Sequence, residues 1–232
     1  MLSILCIETA TTICSVALLC EGSILAEKRS SEKNAHSAIV TLFIEDVLKE
    51  AGLEYTDIDA VAVSKGPGSY TGLRIGVSTA KGLCFALDIP LISVNTLHSM
   101  SKGMADILSE EDSSTLLCPM IDARRMEVYS AVYDIDGNEI RETKAEIIDN
   151  NSFSDYLVDR KVVFFGDGAA KCRNIITHPN AVFYDDINPS AKNMASIAKE
   201  KFKNKQFEDV AYFEPFYLKE FIAGIPRVKG LR

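Results

Sequence analysis

Residues 64–82 read SKGPGSYTGLRIGVSTAKG and gather the residue types that could meet an anion. An apolar run at 60–63 precedes them and reads as a buried strand, and a helical pattern follows over about 73–87. The stretch is therefore a strand, a tight glycine turn and a helix start. Gly66 and Gly68 flank Pro67, which leaves two positions free to take positive φ or to admit another backbone. Ser69 and Thr71 can each cap the helix, and the first N–H groups there can face an anion. Arg74 sits in the first turn, where the helix dipole disfavours a cation, and so calls for a phosphate or carboxylate neighbour. The turn is not a Walker A loop, because no Lys-Ser/Thr pair follows the glycines and Pro67 removes a donor.

Other reactive types are scattered. The three histidines, His36, His98 and His178, are widely spaced. Ser69 does not stand in a GxSxG elbow and no histidine has an evident route to it, so nucleophilic catalysis has no support. The six cysteines show no CxxC spacing and mostly lie in apolar runs, as buried thiols of a reducing compartment do. Asp122 followed by Arg124 and Arg125 reads as a buried ion-pair network, and either arginine could instead meet an anion in the cleft.

The elements that must position these residues occur twice. Runs at 3–8, 14–20 and 24–29 read as a three-strand meander, followed by a helix to about Ala51 capped by Asn34 or Ser37. Its apolar face is Ile39, Leu42, Phe43, Val47 and Leu48, and Val40, Ile44 and Ala51 widen the stripe beyond one-sided packing. The strand at 60–63, the glycine turn, the 73–87 helix, a strand at 91–94 and a helix at 97–108 complete a first lobe, residues 1–108. Serine and acid cluster at 109–114, and the pattern restarts in a second lobe, residues 115–232. There strands are expected at 116–122, 127–133 and 140–148, then a helix at 153–158 and a strand at 162–165. The turn Gly166-Asp167-Gly168, a helix at 169–176, a strand at 182–184 and a helix at 191–202 follow. This α/β order, duplicated, resembles two ribonuclease-H-like lobes of the actin, hexokinase and Hsp70 superfamily.

That likeness requires an ATPase or small kinase reading to be weighed. In nucleotide-binding members of the fold, closely approaching glycine backbone in each lobe's first hairpin holds phosphate. Here the hairpins carry Glu8-Thr9-Ala10-Thr11-Thr12 and Asp122-Ala123-Arg124-Arg125, without glycine, and both look decayed. The threonine hydroxyls could still donate to a ligand, although a threonine-rich β-turn needs none. Gly166-Asp167-Gly168 could accept an adenine ring or be a plain strand-to-helix turn.

Composition narrows the classes. With 232 residues and 47% hydrophobic content, the chain can bury one large core or two modest ones. No apolar run is long enough to span a membrane and the first residues lack a secretion signal, so a cytoplasmic protein is expected. A formal charge of −8 argues against gripping nucleic acid unaided. The strip 219–232, with Lys219, Arg227, Lys229 and Arg232 against Glu220, reads either as a local contact or as a solvated tail.

The string GPGSYTGLRIG with Ala80 and Gly82-Leu83 resembles the signature of the TsaB (YeaZ) family, partner of the TsaD enzyme that makes N6-threonylcarbamoyladenosine in tRNA. The likeness extends to the first strand, to residues 121–129 and to Pro215-Phe216-Tyr217-Leu218-Lys219, where Lys219 replaces the family's arginine. The enzymatic relative holds its metal with two histidines one helical turn apart. His98 has Val94 and Lys102 at those places, so no intrinsic metal, protease or transferase site is expected. The resemblance implies a non-catalytic subunit that dimerises alone, prefers TsaD, works with the ATPase TsaE and meets tRNA only through the complex. It has no cofactor of its own; ATP or ADP could rest at a shared interface. The implied partner surface lies on the first two long helices, at Ile39, Val40, Phe43, Ile44 and Val47 and at Leu73, Gly76, Val77, Ala80 and Cys84, next to the signature loop Gly66, Pro67, Gly68, Ser69, Thr71, Gly72 and Arg74.

Overall fold

Two five-stranded mixed sheets form around strands that are buried on both faces. The computed structural model describes residues 2–32, 36–108 and 113–219. The Asn34 cap, most of the serine and acid cluster and the tail beyond Lys219 lie outside the described residues.

In the first sheet, β1 (Ser3–Glu8), β2 (Cys14–Cys20) and β3 (Ser23–Ser30) make an antiparallel meander. β4 (Ala60–Gly66) and β5 (Leu91–Asn95) extend it in parallel from the free edge of β1, giving the order β3-β2-β1-β4-β5. β1 and β2 are central and buried throughout, which is why they read as unbroken apolar runs rather than alternating ones. The second sheet repeats the plan with β6 (Leu116–Asp122), β7 (Glu127–Asp134), β8 (Glu139–Ile147), β9 (Val162–Phe165) and β10 (Ala181–Tyr184), in the order β10-β9-β6-β7-β8.

The helices α1 (His36–Ala51) and α2 (Tyr70–Leu87) cover one face of the first sheet. Their phase differs from the sequence expectation. α1 lies on β2 and β3, and Val40, Ile44, Val47 and Leu48 point into the core, while Leu42 is 55% exposed. An amphipathic stripe this wide does not specify which edge meets the sheet. α2 begins at Tyr70, earlier than expected, because Ser69 is the N-cap; Thr71 lies within the first turn, and Ser37 is likewise inside α1.

The remaining helices exchange sheets. α3 (Thr96–Ile107) sends Leu97, Met100 and Met104 into the core of the second sheet. From the other half of the chain, the 3-10 turn Ala191–Met194 and α5 (Ala195–Lys203) cover the open face of the first sheet through Met194, Ile197 and Ala198. Each half thus supplies a helix to the other half's sheet. The helix expected at 153–158 shortens to α4 (Ser154–Leu157), and that expected at 169–176 is only a 3-10 turn, Ala170–Cys172. Asn174, Ile175, Ile176 and Thr177 are poor helix formers and Pro179 follows closely. Among the described residues all six cysteines are buried and unbridged, and no helix is long and apolar enough to cross a membrane.

Candidate functional site

Gly68, Gly72 and Gly76 face the chain's own first hairpin. Gly66 takes φ +112° at the end of β4, and the Gly66–Pro67 bond is cis. A Cβ on Gly68 would stand 2.3 Å from the Ala10 carbonyl oxygen, one on Gly72 2.1 Å from that of Thr9, and one on Gly76 2.2 Å from the Thr9 hydroxyl. Thr9 Oγ1 donates to Gly72 O at 2.8 Å, and Ser69 N donates to Ala10 O at 2.6 Å. Gly72 N goes to Ser69 Oγ at 3.3 Å and Leu73 N to Ser69 O at 2.9 Å. Ser69 N, Gly72 N and Leu73 N are therefore bonded within the chain and do not face an anion.

Beneath this contact, Glu8 is fully buried. Its Oε1 accepts Ala10 N at 2.7 Å and Ser64 Oγ at 2.8 Å, while its Oε2 has no partner. Burial raises its carboxyl from an ordinary 4.5 to about 7, against the lowering effect of the Ala10, Ser64 and Thr9 donors. Of the other hairpin hydroxyls, that of Thr11 is engaged by the backbone. Thr11 Oγ1 accepts Ile13 N at 3.3 Å, and Thr11 O lies 2.9 Å from His36 Nε2, which ties the start of α1 to the hairpin. Of the other histidines, His98 stacks on Tyr133 with ring centres 5.3 Å apart, and His178 Nδ1 accepts Asn180 N at 3.2 Å. Burial, then Lys102 and Lys201, push His98 down. No group of three His, Cys, Asp or Glu able to hold a metal occurs among the described residues.

The second lobe uses the same device. A Cβ on Gly166 would meet the Met120 carbonyl oxygen at 2.2 Å, and one on Gly168 the Ile121 carbonyl carbon at 2.8 Å, so these glycines let the turn close on β6. Asp122 does not pair with the arginines expected beside it. Its Oδ1 takes the Lys171 ammonium and, through a backbone bond of 3.0 Å, Arg124 N. Asp122 N donates to Asp167 Oδ1 at 2.9 Å, and burial pushes the Asp167 carboxyl up. Arg124 and Arg125 are exposed, which corrects the buried network.

Arg74 finds an aromatic neighbour where an acid was expected. Its Nη1 donates to the Tyr70 hydroxyl at 3.1 Å and its guanidinium lies 5.4 Å from the Tyr70 ring centre. Tyr70 in turn packs on Tyr217 at 4.9 Å. No carboxylate lies within ion-pair distance of Arg74 among the described residues. Tyr217 belongs to a closing segment that runs from the first lobe to the second. Lys81 Nζ holds Ala211 O and Phe213 O at 3.1 and 3.0 Å, Phe216 N donates to Lys65 O at 2.7 Å, and Lys219 pairs with Glu127.

Of the residues expected at a partner surface, Val40, Ile44, Val47, Leu73, Gly76, Val77, Ala80 and Cys84 are buried in this chain's own core. Ile39 and Phe43 are half-buried and lie at the rim of that core. The outward apolar residues are Leu42, 55% exposed, Phe85, 86% exposed, and the half-buried Ile75, on helices packed side by side. Phe85 was legible in principle, since it stands seven residues beyond Ser78 on the strip that also holds Arg74.

The duplicated sheet order, with glycine turns that close on the first hairpin and on β6, defines a two-lobed α/β fold built on a pair of five-stranded mixed sheets. The family described as TsaD, tRNA N6-adenosine threonylcarbamoyltransferase, matches residues 23–227. Within it, the chain belongs to the TsaB family of tRNA threonylcarbamoyladenosine biosynthesis proteins. It is 33% identical to the TsaB protein of Escherichia coli over 229 residues, 95% of this chain and 96% of that one. The solved structure of YeaZ from Pseudomonas aeruginosa is 26% identical and superposes with a TM-score of 0.78 over 94% of this chain and 100% of that one. The activator of 2-hydroxyisocaproyl-CoA dehydratase from Clostridium difficile, solved with ADPNP, shares the fold at 12% identity and a TM-score of 0.50, over 90% of this chain and 99% of that one.

Proposed function

We propose that this chain is a non-catalytic scaffold subunit of the assembly that makes N6-threonylcarbamoyladenosine in tRNA. It holds a TsaD-type transferase through α1 and α2, works alongside the ATPase TsaE, and pairs with a second copy of itself when alone. The observation that carries this reading is the exposure of two large apolar side chains, Leu42 and Phe85, on adjacent helices that also carry the half-buried Ile39, Phe43 and Ile75. Large aromatic and aliphatic side chains of this kind are what the dry centre of a protein interface buries. Arg74 lies on the same helix and can meet a partner's carboxylate.

The reading of the chain as non-catalytic is supported by the state of Glu8, whose carboxyl is enclosed beneath Thr9 and Ser64. The glycine backbone that could approach a phosphate is spent on closing the lobe around it. Any ATP or ADP would then rest at an interface shared with the partner. Phe85→Asp and Leu42→Asp should leave the fold intact while halving the mass in solution and weakening capture of the transferase. Folded variants that stay dimeric and still capture it would overturn the proposal.

A further inference from the structure

The turn joining β6 to β7 carries Arg124 and Arg125 at φ 73° and 53°, the only consecutive side-chain-bearing residues with positive φ among the described residues. That region favours glycine, and Asn or Asp among the rest, because a Cβ crowds the following carbonyl. Glu127 N donates to Arg124 O at 3.2 Å, closing a four-residue turn with Arg125 at its first central position, where glycine is the ordinary occupant. The chain holds two arginines in a conformation that nothing in their side chains favours.

The turn is clamped from below. Arg124 N donates to Asp122 Oδ1 at 3.0 Å, and Lys171 Nζ donates to the carbonyls of Arg125 and Glu127, each at 2.7 Å. The carboxylates beside the turn are already matched, Asp122 by Lys171 and Glu127 by Lys219. Neither arginine forms an ion pair among the described residues, and both are exposed. Two uncompensated guanidiniums therefore stand side by side on a chain of formal charge −8.

We infer that the Arg124–Arg125 turn contacts the phosphodiester backbone of RNA. A guanidinium presents a planar fork that donates two parallel hydrogen bonds to a phosphate, and such contacts orient a nucleic acid without reading its sequence. The inference rests on the reading of this chain as a subunit that meets tRNA within an assembly. It gives an otherwise acidic subunit one local, electrostatic grip. A nucleotide's phosphates share the chemistry, but exposure on a turn suits an extended polyanion better than a ligand enclosed in a cleft.

The test titrates a fluorescently labelled tRNA transcript with the full chain assembled with the transferase, at several salt concentrations. It compares wild type with Arg124→Asn/Arg125→Gly, which relieves the backbone, and with Arg124→Lys/Arg125→Lys, which keeps the charge. The Asn/Gly variant should melt no lower than wild type and capture the transferase equally well. It should bind tRNA about 10-fold more weakly, with the slope of log K against log salt reduced by about 1 to 2. The lysine variant should keep most of the affinity. Unchanged affinity and slope in the Asn/Gly variant would overturn the inference. So would loss of ATP binding, titrated in parallel, with tRNA binding unaltered. Failure of the wild-type chain to capture the transferase would instead overturn the subunit reading beneath it.

Discussion

Ser64 donates its hydroxyl to Glu8 Oε1 at 2.8 Å, joining the end of β4 to the end of β1 beneath the glycine turn. The second oxygen of Glu8 is buried without a partner, so the neutral carboxyl fits the site better than the carboxylate. Its folded value of about 7 lies above the ordinary 4.5, so the folded chain binds the proton more tightly than the unfolded one. The stability this contributes is complete below about 4.5 and is lost as pH rises through about 7. The difference is on the order of 3 kcal/mol. Thermal unfolding of wild type and Glu8→Gln across that window should show the wild type losing stability relative to the variant as pH rises. Parallel curves would show that Glu8 titrates normally.

Gly72→Ala places a Cβ against the Thr9 carbonyl oxygen, a backbone atom that cannot swing aside. It should cost about 2–3 kcal/mol. Gly82 lies in the same helix with open space where a Cβ would stand, so Gly82→Ala should stabilise by about 0.5–1 kcal/mol. Chemical denaturation of the two variants separates close packing from mere helix propensity.

Ile44 and Val77 are 1% and 4% exposed. A carboxylate at either position would be buried in the first-lobe core, and Ile44→Asp or Val77→Asp should destabilise by about 3 kcal/mol or more. Phe85→Asp, by contrast, should melt within about 0.5 kcal/mol of wild type, because its side chain is already in solvent. Circular dichroism read beside light scattering distinguishes the loss of a fold from the loss of a partner.

Arg74 touches Tyr70 and, among the described residues, no carboxylate. Arg74→Ala should therefore change stability by no more than about 0.5 kcal/mol, while weakening capture of the transferase several-fold. A large drop in melting temperature would assign Arg74 a structural role in holding Tyr70 against Tyr217.

The strands, their order and the duplication were legible in the sequence because they depend on local signals. Buried runs at β1 and β2, the Glu21-Gly22 turn before β3 and glycine turns at the ends of β4 and β9 each lie within a few residues. The need for glycine at positions 66 to 76 was also readable, but its reason was not. Thr9 and Gly72 are 63 residues apart, and only folding shows that one packs on the other. The same limit applies to the faces of α1 and α2. Both helices carry apolar residues more than halfway round, so periodicity gives a wide stripe, and it is the position of β2, β3 and β4 that turns Ile44 and Val77 inward and leaves Leu42 and Phe85 outward. Arg74 meeting Tyr70 and Tyr217, and the exchange of α3 and α5 between the sheets, are likewise set by the tertiary structure, since each depends on contacts between segments that no local pattern relates.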